Sequence, residues 1–266
     1  MSSKPPISKP PVPKPVVPVT PPKPSSPVEL ITISVINEST VATDAQLEQY
    51  VAALQKQVDN DFGPIWGVEA SLTFVPKGGK PNPNTWQLGV FDNSDQAGAL
   101  GYHDVTSAGL PLAKVFAETD IQARSSLSVT ISHELLEMLG DPDVNLCVLV
   151  QSTDTEGVIY AYETADAVED DSFGYTIDGV LVSDFVYPSW FESFRTTGPF
   201  DKQGKVTKPF ELLAGGYIST YNIPNTGGWT QLNAQSNSKY MNRARLGSRR
   251  EKRRTPRDQW IRSTRG

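Results

Sequence analysis

Residues 131–143 read Ile-Ser-His-Glu-Leu-Leu-Glu-Met-Leu-Gly-Asp-Pro-Asp, and this run constrains the chain more than any other. Leu135, Leu136, Met138 and Leu139 favour a helix, and Gly140 with Pro142 stops it. Ser125 or Ser126 is placed to open it. His133 and Glu137 are four residues apart, so they lie one above the other on one helical face. That spacing lets a helix offer two ligands to one metal ion. Glu134 is one step round, within reach of the attacking water as a general base. The competing reading is a helix that turns these three groups to solvent.

The stretches around this helix divide by composition. Residues 1–28 hold 11 prolines and four lysines and no acid, so they cannot pack a core and predict an extended, polyproline-like arm. Residues 239–266 hold nine arginines, two lysines and two acids, a basic tail. Taking +4 and +9 from the net charge of −6 leaves −19 for residues 29–238. A body this acidic excludes nucleic-acid binding by itself, whereas the 239–266 tail suits nucleic acid or an acidic protein surface. No apolar run reaches the roughly 18–20 residues that span a bilayer, and no apolar core follows the early lysines. The expectation is a protein without signal peptide or membrane segment, cytoplasmic or virion-associated. Cys147 is the single cysteine, so no internal disulfide forms, and a buried thiol is expected.

Within 29–238 the pattern predicts an α+β domain. Strands are expected at 30–36, 70–75, 86–91, 100–103 and 113–117. An amphipathic helix over 45–61, with Thr43 or Asp44 as N-cap, carries Leu47, Tyr50, Val51, Leu54 and Val58 at helical spacing and ends at Gly63-Pro64. Strands at 144–150 and 158–162 follow the motif. Residues 173–183 form a hairpin turning at Asp178-Gly179. The aromatic cluster 185–191 belongs to a core. His103 is either a surface histidine or a further group over the cleft.

The run His133-Glu134-Leu135-Leu136-Glu137 resembles the zincin metallopeptidase signature H-E-x-x-H, with Glu137 in place of the second histidine. The metzincin branch continues x-x-G-x-x-H or x-x-G-x-x-D, and Gly140 and Asp143 stand at those offsets. The order strand, long helix, strands, motif helix is similar to that of metzincin-like domains, whose edge strand pairs with substrate. The resemblance implies a zincin-like fold, in which a twisted mixed sheet packs on a long N-terminal helix and the motif-bearing helix. It implies metal ligands His133, Glu137 and Asp143, with Glu134 catalytic. Glu163 with Asp166 is similar to the gluzincin third-ligand pattern, one residue short, so Glu163 competes with Asp143, and Asp141 is a third candidate. Tyr217, after Gly215-Gly216, matches the tyrosine that assists the oxyanion in some members.

The expected function is a metal-dependent peptidase acting on peptide or protein substrates. The expected ion is Zn2+, and a carboxylate-rich set also admits Mn2+, Mg2+ or Ca2+. The alternative is a catalytically inactive zincin-like structural protein of an assembly such as a phage virion, docked on protein partners through its proline-rich and arginine-rich arms.

Overall fold

A computed structural model describes residues 30–96, 99–224 and 228–234. The arms at 1–28 and 239–266 lie outside the described residues, with their expected partners. The first strand, β1 (Ile31–Asn37), is built from β-branched residues and buries Ile33, Val35 and Ile36. Helix α1 (Asp44–Gln57) follows, capped by Thr43, whose hydroxyl accepts the Gln46 N–H at 3.2 Å.

The long N-terminal helix expected from the periodicity is not present as one element. α1 has 14 residues, no more than the motif helix; the backbone then widens into a π turn (Val58–Phe62) and a short α2 (Gly63–Trp66). Pro64 has no N–H to continue the ladder. Gly63 packs where a Cβ would stand 2.5 Å from the Val68 carbonyl oxygen. Side-chain periodicity cannot reveal this break, because a π turn keeps Val58 and Phe62 in the core.

Next come β2 (Ala70–Val75), β3 (Trp86–Phe91), β4 (Gly101–Val105) and β5 (Pro111–Phe116). With β1 they form a five-stranded mixed sheet in the order β2-β1-β3-β5-β4. Its first four members run parallel and β4 runs antiparallel to β5. Among the described residues the outer edge of β4 pairs with no strand. A short α3 (Ala117–Ala123), not expected from the sequence, leads into the motif helix α4 (Leu127–Gly140), for which Ser126 stands at the N-cap.

α4 packs on β4 and β5. Its far side meets a hairpin of β8 (Tyr175–Ile177) and β9 (Val180–Val182), after an antiparallel pair β6 (Cys147–Gln151) and β7 (Gly157–Ala161). The hairpin turn is as expected: Asp178 and Gly179 both have positive φ, 50° and 83°, the geometry of a two-residue turn matched to strand twist. Late strands β10 (Tyr217–Ile223) and β11 (Thr230–Asn233), also not anticipated, complete a four-stranded antiparallel sheet in the order β11-β10-β7-β6. The architecture is α+β, as expected. Among the described residues no helix is long and apolar enough to cross a membrane.

The main core lies between the mixed sheet and helices α1 and α4, around Ile33, Leu54, Leu88, Val90, Leu135 and Leu136. A second core gathers Trp190 and Phe191 of the aromatic cluster with Phe200 against Ile218 of β10, while Phe185 of that cluster packs in the main core. Cys147 is exposed, not buried: β6 is an edge strand whose alternate side chains face solvent, and Cys147 falls on that side.

Beside these cores, Asp184 and Asp201 are buried together. Asp184 accepts the N–H groups of Phe185 at 2.8 Å and Gln203 at 3.2 Å, and Asp201 accepts those of Lys205 and Val206. Burial and the neighbouring Asp201 push the Asp184 carboxyl up to about 8. The folded chain therefore holds a proton that the unfolded chain releases near pH 4, and stability falls as pH rises from about 4 to 8. Asp184→Asn keeps the acceptor oxygen and replaces the proton with an amide donor. Its melting temperature is expected to fall less than that of the wild type between pH 5 and pH 8, as measured by thermal unfolding followed by circular dichroism.

Candidate metal centre

α4 is buried from Ser128 to Leu139, so the side that carries His133, Glu134 and Glu137 is not a solvated face. A helix buried all round needs partners for every polar group it carries. Some are ordinary. Ser132 donates to Gln57 Oε1 at 2.7 Å and accepts the Ser183 N–H at 3.0 Å, which bolts α4 to α1 and the hairpin. Thr130 donates to Asp120 at 2.8 Å. These bonds fix the rotation of α4 and so aim His133 and its two glutamates.

Two further segments close around them. β4 brings His103, which is fully buried. The chain leaving β7 brings Glu163 and then Asp166, which opens a 3-10 turn (Asp166–Val168). His133 Nε2 lies 3.3 Å from Glu137 Oε1 and 3.3 Å from Asp166 Oδ1. His103 Nδ1 lies 3.5 Å from Glu137 Oε2 and 3.7 Å from Glu134 Oε2, and its Nε2 lies 3.7 Å from Glu163 Oε2. Glu134 Oε2, Glu137 Oε1 and Asp166 Oδ1 are buried and receive no directed hydrogen bond among the described residues. Buried carboxylate oxygens in that condition are costly unless a cation meets them.

The packing leaves room only for these side chains. A Cβ at Gly101 would stand 2.7 Å from Glu134 Cγ and Oε1, so β4 needs glycine where Glu134 crosses it. A Cβ at Gly140 would stand 2.4 Å from Thr164 Cγ2, so the Glu163–Asp166 segment lies directly on the end of α4. Gly140 thus serves close approach as well as helix termination.

The electrostatics show a cluster short of positive charge. Burial opposes charge on His133, but Glu137, Asp166 and Glu134 outweigh it and raise the imidazole well above its usual pKa. Burial also opposes the Glu137 carboxylate, and His133 and His103 reverse this, holding it well below the usual carboxylate range. Asp166 is left with too little compensation. Burial, then the charges of Glu137 and Glu163, push its carboxyl up to about 7.

Among the described residues, two groups could hold a metal ion: His133, Glu137 and Asp166, and His103, Glu134 and Glu137, with ligand atoms within 4.8 Å of one another in each. One imidazole nitrogen and two carboxylate oxygens form a set that zinc tolerates and harder divalent ions accept. A small cleft lined by Leu100, Gly101, His133, Glu134, Glu169 and Asp171 borders the cluster at His133 and Glu134.

The structure places the expected residues unequally. His133, Glu134, Glu137 and Glu163 come together. Asp143 does not: it is exposed in the turn after α4. Asp141, the other candidate from that turn, is buried, but its carboxylate accepts the N–H groups of Asn145 and Leu146 at 3.0 and 3.1 Å and so closes the turn. Tyr217 begins β10, buried, just after Gly216, whose Cα packs against the Ala167 carbonyl behind Asp166. His103, for which a surface position was one expectation, is interior. Asp166 joins them beside His133, and its sequence signal is its pairing with Glu163 in an acid-rich stretch. Comparison with known proteins finds no matching protein family, no matching curated protein and no matching solved structure.

Proposed function

We propose that the chain is a metal-dependent hydrolase of the zincin-like peptidase type, with a divalent ion, zinc first among candidates, held by His133, Glu137 and Asp166. The observation that carries this reading is the buried convergence of those three side chains on unsatisfied carboxylate oxygens. The bound ion supplies Lewis acidity toward a water and a substrate carbonyl. Glu134 borders both the cluster and the cleft, so it accepts the proton of the attacking water. The single-sided edge of β4 beside the cleft can take an extended peptide backbone by strand addition. The mixed sheet with its antiparallel edge strand, and the motif helix lying across β4 and β5, support the zincin-like reading of the fold.

The test is metal analysis of the full chain after zinc-supplemented expression, wild type against His133→Gln. The wild type is expected to retain tightly bound zinc and to cleave an unstructured protein substrate; the variant should lose both. A folded wild type that retains no zinc, manganese or calcium would end this reading.

A further inference from the structure

We propose that the cluster is built for two divalent cations, with Glu137 as the bridge between them. The proposal rests on the metal reading above and extends it. Glu137 presents its two oxygens to different histidines: Oε1 faces His133 Nε2 at 3.3 Å, and Oε2 faces His103 Nδ1 at 3.5 Å. A carboxylate in that position can hold one ion per oxygen, about 3.5–4 Å apart, as two-metal hydrolytic sites do. The first ion has His133, Glu137 Oε1 and Asp166. The second has His103 Nδ1, Glu137 Oε2 and Glu134 Oε2, the last a buried oxygen with no directed hydrogen bond among the described residues.

A carboxylate also stands behind the His103 ring. Its Nε2 faces Glu163 Oε2 at 3.7 Å, on the side of the ring away from the ligand nitrogen. Charge points the same way. Glu134, Glu137, Glu163 and Asp166 are four buried carboxylates, and two divalent ions cancel them where one leaves two negative charges in the interior. Glu134 then has two duties that exclude each other. With the first ion alone it accepts protons; as a ligand of the second it cannot, so the second ion is a brake on hydrolysis.

Equilibrium dialysis of the full chain against Zn2+ tests this, with hydrolysis followed at each loading. The wild type is expected to bind two equivalents, with activity highest near one and falling as the second binds; His103→Gln is expected to bind one. Mn2+ gives a readout that needs neither activity nor a variant. The loaded wild type should show the electron paramagnetic resonance spectrum of an exchange-coupled pair. A single equivalent in the wild type with an isolated-ion Mn2+ spectrum overturns the second site and leaves the first standing, with His103 serving as a counter-ion. Two coupled ions with activity that rises on the second equivalent keep the site and overturn the brake. No bound metal at all removes both readings.

Discussion

Asp166→Asn is expected to melt above the wild type when both are stripped of metal at pH 8, and below it when both are supplied with saturating zinc. The metal-free part follows from the crowding of carboxylates. Asp166 is 3 % exposed and shares the interior with Glu137 and Glu163, so its charge is resisted from every side but that of His133. Replacing it with a neutral isostere relieves a cost on the order of 1–3 kcal/mol, which for a domain of this size raises the melting temperature by several degrees. The zinc part follows from linkage. An ion present at about 100 times its dissociation constant stabilises the folded chain by about 2.7 kcal/mol, and only the form with its ligands intact collects this. Scanning calorimetry with and without chelator shows the crossing. Two curves that keep their order in both conditions would mean that Asp166 is not a ligand.

The second large effect is on the chemistry. Glu134→Gln is expected to lower kcat by about 10²–10⁴-fold while the first zinc equivalent binds as before. Glutamine has nearly the shape of glutamate, so the close fit over Gly101 is kept, but an amide cannot accept the proton. An enzyme that keeps its rate through this change has its base elsewhere, and Glu134 would then be left only its place as a ligand.

Local signals were legible in this sequence and distant pairings were not. Strands β1, β2 and β3 follow from β-branched and aromatic runs, and β2 and β3 occupy the expected residues. The hairpin followed from Asp178-Gly179, whose backbone requirement is local. The His133, Glu134 and Glu137 trio could be read from helical spacing alone. The place of Asp166 could not, because the offset to Asp143 describes the turn after α4, whereas Asp166 returns only after the β6–β7 pair has reversed the chain. His103 is similar: its burial depends on α4 covering β4, which no window around residue 103 contains. Cys147 shows the opposite limit, since its exposure depends on β6 standing at a sheet edge.

The six side chains of this cluster come from three separate stretches: β4, α4 and the segment that follows β7. Neighbouring ligands in sequence supply at most three of the six side chains. An unfolded or half-folded chain therefore cannot present the set, and under the proposed function an ion is captured only once long-range contacts have closed. On the proposed metal reading, occupancy would double as a check on folding. A nascent chain that has mispaired its late strands would then stay unloaded and less stable, and a protease could distinguish it from a finished molecule without any dedicated signal.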